Sequence, residues 1–191
     1  MPDLHNVNFD FGREYRGGGN YGGGGGCFTE GTLITMWDGS TVAIEEVVAG
    51  DKILSYNVEK AIVEQDTVLE TSRPIVDTIA ELNIDGQFIW CTPDHPFYVQ
   101  DKGWSSLTPA ITETNYELVV EQLKEGNTLA RIDLKQQINP VTIKSIKTKV
   151  MPHTQTYNLS KVETNQNFFA NGILVHNKGG RRGGGRGQQQ R

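Results

Sequence analysis

Residues 27–177 predict an all-β domain, and three observations predict it. Apolar residues recur with a period of two in short runs, turn dipeptides separate those runs, and helical spacing is scarce. The clearest run, VDTIAELNI at 76–84, alternates, meets Asp85-Gly86 as a type I′ turn signal, and returns as QFIWCT. FYVQ and WSS flank Asp101-Lys102-Gly103 as a second hairpin. VTIKSIKTKV alternates, slips at Ser145-Ile146 and resumes, which predicts a bulge or bend. In NFFANGILV, residues 168–170 face 173–175 across Asn171-Gly172. Helical pattern is confined to AIEEV near Ile44 and to a stretch over 109–123. Short strands at close spacing with turn residues between them read as all-β.

Composition sets the frame around this body. The chain has 191 residues, 36% of them hydrophobic, which suits one globular domain with appendages. Eight of the ten residues at 17–26 are glycine, as are six of the fourteen at 178–191, and such coil buries no core. The expected organisation is a flexible glycine-rich flank at 1–26, a domain at 27–177, and a flexible Gly/Arg-rich flank at 178–191. No run approaches the roughly 18 apolar residues of a membrane span. The opening MPDLHNVNFDFGREYR has no apolar h-region and predicts no signal peptide. Both the cytoplasm and a place within a larger secreted protein stay open as compartments.

The net charge is −5, although the tail carries Lys178, Arg181, Arg182, Arg186 and Arg191 with no acid. The body is therefore strongly acidic, which argues against a nucleic-acid-binding core. RNA binding would rest on the tail arginines alone, in a composition shared with linkers. Two cysteines without a C-x-x-C spacing make neither a disulfide scaffold nor a zinc site, and no cofactor or metal is expected.

Both edges of the body carry reactive side chains. Cys27 follows the glycine stretch, and its thiol can attack the Gly26 carbonyl, turning the Gly26-Cys27 amide into a thioester. The equilibrium favours the amide, so the fold has to distort the bond, protonate the departing nitrogen and stabilise an oxyanion. Thr92-Pro93-Asp94-His95 can supply both groups. A histidine with a pKa near about 6.5 donates at neutral pH, and the Thr92 hydroxyl polarises the carbonyl oxygen. At the other edge, the side-chain nitrogen of Asn177 can attack its own backbone carbonyl, close a succinimide and release everything from Lys178 onward. His176 is placed to polarise that carbonyl and protonate the leaving amine. Taken singly, a structural histidine, a Thr-Pro-Asp turn and a strand end reading His-Asn are each commonplace. Cys91, within FIWCT, reads as a small core hydrophobe. Strand alternation sends it to the face opposite Thr92, so a Cys27-Cys91 disulfide is not expected. His5 falls in the glycine-rich flank as an incidental residue, and His153 reads as a strand-surface residue.

Jointly these stretches resemble a known family. CFTEGTLITMWDGSTVAIEEVVAGDKILSYN resembles the opening block of the Hint superfamily, shared by inteins and hedgehog autoprocessing domains. CTPDHPF resembles its T-x-x-H block, and YNLSKVETNQNFFANGILVHN its closing blocks, in the right order along 27–177. The resemblance implies a horseshoe-shaped β fold with pseudo-twofold symmetry and one or two short helices, which brings both ends together. It implies single-turnover self-cleavage, with Cys27 as thioester nucleophile, Thr92 and His95 as its activators, and Asn177 cyclising with help from His176. Asp94, Asn158 and Gln166 are auxiliary candidates. The substrates are the chain's own flanks, with water, a thiol or an amine as acyl acceptor.

The departures from the family are specific. Inteins follow the terminal asparagine with Cys, Ser or Thr, whereas Lys178 is charged at neutral pH (pKa about 10.4) and a poor acceptor. Cleavage with splicing as a minor outcome is therefore expected, as in bacterial intein-like domains that keep His-Asn and lack the following nucleophile. Asn158 stands where many inteins have aspartate, and Gln166 where many have histidine. The competing reading is a processing-inactive β spacer or binding module between flexible linkers.

Overall fold

The computed structural model describes residues 26–177. The flanks expected at 1–26 and 178–191, and with them Lys178 and His5, lie outside the described residues except for Gly26.

Strands β1 (Phe28–Thr29), β2 (Leu33–Thr35) and β3 (Thr41–Ala43) lead through a 3-10 turn, Ile44–Glu46, into a hairpin of β4 (Lys52–Asn57) and β5 (Ile62–Ser72). A second hairpin joins β6 (Ile75–Ile84) to β7 (Gln87–Cys91), and a third joins β8 (Phe97–Val99) to β9 (Gly103–Ser106). Helix α1 (Pro109–Tyr116), β10 (Glu121–Gln122) and β11 (Thr128–Ile132) precede the long β12 (Ile138–Val162). The hairpin of β13 (Asn167–Ala170) and β14 (Ile173–His176) ends the described chain. The fold is all-β, as the alternation predicts, and the expected hairpins are present. Asp85 and Gly86 both have positive φ (53° and 85°), as do Asn171 and Gly172 (48° and 77°), which is the type I′ geometry those dipeptides favour.

Two elements differ from expectation. The helix expected over 109–123 ends at Tyr116, where Glu117 turns left-handed (φ 54°). The β-branched Val119-Val120 pair that follows favours extended chain, and Glu121–Gln122 pairs in parallel with β9. The slip at Ser145 does appear, as a register shift between Ile143 and Ser145. The strand nonetheless continues through a second shift between Val150 and Thr154, with His153 at φ 54°, to make one strand of 25 residues. His153 is exposed, as expected, its backbone N–H donating to Asp77.

β12 is the spine of the domain. Its first part pairs with β11, its middle with β6, and its end with β1 and β5. Alternating residues of β6 (Ala80, Leu82, Ile84) bury completely against it, with Ile53, Val68, Ile89 and Leu129 in the same core. Each such large aliphatic side chain contributes roughly 1.5–3 kcal/mol by leaving water.

Two pairings bring the edges together. Phe28, next to Cys27, sits between Cys91 of β7 and Tyr157 of β12. Val175 of β14 pairs with Phe97 of β8, and the His176 N–H donates to Pro96 O (3.1 Å). Only residues 92–96 separate β7 from β8, so one short loop is stitched to the N-terminal edge at its start and to the C-terminal edge at its finish. No helix among the described residues is long and apolar enough to cross a membrane.

Candidate active site

That loop is TPDHP, and it holds the N-terminal edge by a reciprocal pair of hydrogen bonds. The Cys27 N–H donates to Thr92 Oγ1 (2.9 Å), and the Thr92 N–H donates to Cys27 O (2.8 Å). The first bond corrects the expectation for Thr92, whose hydroxyl meets the nitrogen of the Gly26-Cys27 amide rather than the Gly26 carbonyl oxygen. The reason is register: β1 lies beside β7, which directs the Cys27 N–H at the residue that follows Cys91. Cys27 and Cys91 are both fully buried and form no disulfide. Burial pushes the Cys91 thiol well up, consistent with an inert core residue.

His95 is 1% exposed and boxed by aromatic rings, with centroids of Phe28 at 4.2 Å, Phe97 at 6.0 Å, Tyr116 at 6.3 Å and Phe168 at 6.4 Å. Burial in this box pushes the imidazole down to about 3; the backbone of Gly26 and of His176 facing the ring opposes the shift, and the His176 ring adds to it. The ring stands beside Gly26, whose Cα carries no side chain in the direction of His95 Nδ1. Both ring nitrogens are buried without hydrogen-bond partners. The expectation of a histidine near its ordinary pKa is corrected: at neutral pH His95 is a neutral imidazole with one N–H to donate.

The auxiliary residues separate by what they touch. The Asp94 carboxylate accepts from Asn115 Nδ2 (2.8 Å) and its carbonyl from Thr112 Oγ1 (2.8 Å), so Asp94 ties the loop to α1. Asn158 is 1% exposed with both side-chain amide atoms unpartnered, and extending the Phe28–Tyr157 register by one residue sets it beside Cys27. Gln166 is exposed and takes part through its backbone.

The C-terminal edge is closely held. The Asn177 N–H donates to Gln166 O (2.9 Å). With the side-chain amide oriented to satisfy its surroundings, Asn177 Nδ2 donates to the same carbonyl (2.6 Å) and Oδ1 accepts from the Val162 N–H (2.7 Å). His176 Nδ1 contacts Asn177 O directly, while Trp104 stands edge-on to its ring (4.8 Å, 89°). Burial lowers the His176 pKa, and the Asn177 backbone opposes that shift. Gly26, Cys27, Thr92, His95, His176 and Asn177 are thus brought to one place, and Lys178 lies outside the described residues.

Tyr116 is the site residue that sequence reasoning missed. It is 3% exposed, its ring meets His95 at 82°, and its hydroxyl, buried without a hydrogen-bond partner, stands against Gly26. Burial pushes its pKa well up, so it stays a neutral phenol. The sequence carries no signal for it beyond a helical pattern. Among the described residues no cluster of three or more His, Cys, Asp or Glu forms a metal site.

The chain is similar to several known proteins. A solved bacterial intein-like domain from Clostridium thermocellum is 32% identical, with a TM-score of 0.65, over 79% of this chain and 98% of that one. A DnaB intein from Synechocystis sp. is 22% identical with a TM-score of 0.63, over 80% and 99% of the two chains, and at that identity the likeness shows the fold alone. The DNA gyrase B protein of Synechocystis sp. is 32% identical over 89 residues; the chain spans 8% of that protein's length. The family model described as the ataxin-1 and HBP1 module (AXH) matches residues 28–133. That stretch includes Thr92, His95 and Tyr116 but stops short of Cys27 at one end and of His176-Asn177 at the other, so the match carries no information on chemistry at the edges. By these matches the chain belongs to the AXH family over residues 28–133 and, over the whole described fold, to the bacterial intein-like domains of the Hint superfamily.

Proposed function

We propose that the domain processes itself at both edges, breaking Gly26-Cys27 and Asn177-Lys178 once per molecule. The observation that supports this best is that one loop, residues 92–96, holds the Cys27 nitrogen on Thr92 Oγ1, sets His95 against Gly26 and holds the His176 N–H on Pro96 O. At the N-terminal edge, Cys27 Sγ bonds to the Gly26 carbonyl carbon as that carbon's bond to Cys27 N breaks. The thiol proton ends on the nitrogen, and the step is an isomerisation from amide to thioester. Thr92 Oγ1 accepts from the nitrogen while it is an amide and donates to it once it becomes an amine, because a hydroxyl rotates to do either. Neutral His95 offers its N–H to the Gly26 oxygen as charge develops there. Water or a thiol then takes the acyl group.

At the C-terminal edge, Asn177 Nδ2 bonds to the Asn177 carbonyl carbon and the bond to Lys178 N breaks. One Nδ2 proton ends on that nitrogen and a succinimide remains. The Gln166 carbonyl aims Nδ2, and His176 touches the oxygen that takes up charge. The flanking polypeptides are the substrates. Lys178 supplies no ready acyl acceptor, so cleavage prevails over splicing.

Intact-mass measurement of the freshly expressed chain tests this. Fragments 1–26, 27–177 and 178–191 should accumulate. Dithiothreitol should speed release of 1–26 from the wild type and release none from Cys27→Ala. Equal release from both would sink the thioester.

A further inference from the structure

The Tyr116 hydroxyl is buried and makes no hydrogen bond. It occupies the one direction in which residue 26 could carry a side chain. A Cβ added at Gly26 would collide with Tyr116 Oη, and would lie 2.6 Å from His95 Nδ1 and 2.8 Å from His95 Cα. Neither wall gives way easily. His95 is held by its N–H on Thr92 O (3.2 Å), and α1 is pinned to the same loop through Thr112 and Asn115 on Asp94. The Tyr116 ring is itself buried against His95.

We propose that Tyr116 is the specificity-determining residue of the N-terminal step, restricting position 26 to glycine, so that the acyl groups this domain passes to Cys27 are polypeptides ending in glycine. The hydroxyl fills the space above the Gly26 Cα, and the His95 backbone closes the other side. A larger residue at 26 forces the arm away from Thr92 and His95, which lengthens the approach of the Cys27 sulfur to the carbonyl carbon. The chain's own flank fits the slot, since residues 22–26 are all glycine. This inference rests on the autoprocessing reading above and adds the substrate class.

The test compares dithiothreitol-induced release of 1–26 in Gly26→Ala and in Gly26→Ala/Tyr116→Phe, each scaled to release of 178–191 in the same sample. Tyr116→Phe keeps the ring that packs on His95 and removes only the oxygen. Gly26→Ala should slow release about 100-fold, the effect of misplacing reacting atoms by an ångström. Adding Tyr116→Phe should restore at least about tenfold, because the arm can then slide toward α1 and away from His95. Release from Gly26→Ala at the wild-type rate, or no gain in the double variant, overturns the inference while leaving the processing reading intact. No thiol-induced release from the wild type itself overturns the processing reading and this inference with it.

Discussion

The two edges of the domain meet on one short loop, yet they are held in opposite ways. At the C-terminal edge the groups that would react already have partners: Asn177 N–H and Nδ2 on Gln166 O, Oδ1 on the Val162 N–H, and His176 against the Asn177 oxygen. At the N-terminal edge Thr92 engages the Cys27 backbone, while both His95 nitrogens, the Tyr116 hydroxyl and the Asn158 amide are buried without hydrogen-bond partners. Each such group costs about 1–3 kcal/mol as it stands. On the processing reading, the C-terminal edge is arranged for its reaction in the resting state. The N-terminal edge is arranged for a geometry reached only as the Gly26 carbon becomes tetrahedral, so its interactions favour the transition state over the ground state.

The most severe test of that contrast joins the two edges chemically. Lys178→Cys places a thiol where Lys178 has a charged amine, and correct placement contributes orders of magnitude in effective concentration. Ligated 1–26/178–191 should rise from trace in the wild type to a major product by intact mass. Abundant ligated product in the wild type, or none in the variant with both cleavages still running, would break the picture of edges held together by one loop.

Separate removal of the two histidines comes next in size. His95→Ala should slow thiol-induced release of 1–26 by about 10²–10⁴, the range of one positioned acid–base group. Because Pro96, next in the chain, holds the His176 N–H, release of 178–191 should fall by a smaller factor, on the order of tenfold. His176→Ala should stop release of 178–191 and leave 1–26 release near the wild-type rate. Equal damage to both steps in both variants would point to unfolding and erase the distinction between the edges.

The smallest effect is on stability against pH. Burial holds His95 down to about 3 and lowers His176, against an unfolded value of about 6.5. Between about 6.5 and 3 the unfolded chain therefore binds more protons than the folded one. Stability is full above the unfolded value and falls as pH drops toward 3. Thermal midpoints in a Cys27→Ala/Asn177→Ala background, which stays unprocessed, should decline from pH 7 to 4. His95→Gln should flatten that decline more than His176→Gln does. An unchanged slope in His95→Gln would show that the N-terminal edge is wetter than its aromatic box implies.

Much of this architecture was legible because it is local. Asp85-Gly86 and Asn171-Gly172 specify their turns through the φ values those residues tolerate, and alternation assigns the flanking strands. The end of α1 was not legible: the pattern runs on toward Leu123, whereas Glu117 turns left-handed and the chain leaves to pair with β9. Nor was β12 visible as one strand, since two register shifts break its period while its neighbours β6, β1 and β5 keep it extended.

At the site, sequence alone determined which reactive groups exist: a cysteine after glycine, Thr92 and His95 three apart, and His176 before Asn177. Their chemistry is written in residue type and short spacing. Only the tertiary structure decided that Thr92 holds the Cys27 nitrogen, that the Gln166 backbone rather than its side chain aims Asn177, and that Tyr116 covers Gly26. It also decided that His95 is a buried, neutral imidazole. The physical reason is that these properties belong to register and burial. β1 lodged between β7 and β12, and β14 laid on β8, set which backbone groups meet, and the aromatic box that results desolvates the imidazole. A linear pattern carries the donors and nucleophiles, whereas their partners and their dielectric exist only once residues far apart in sequence are packed together.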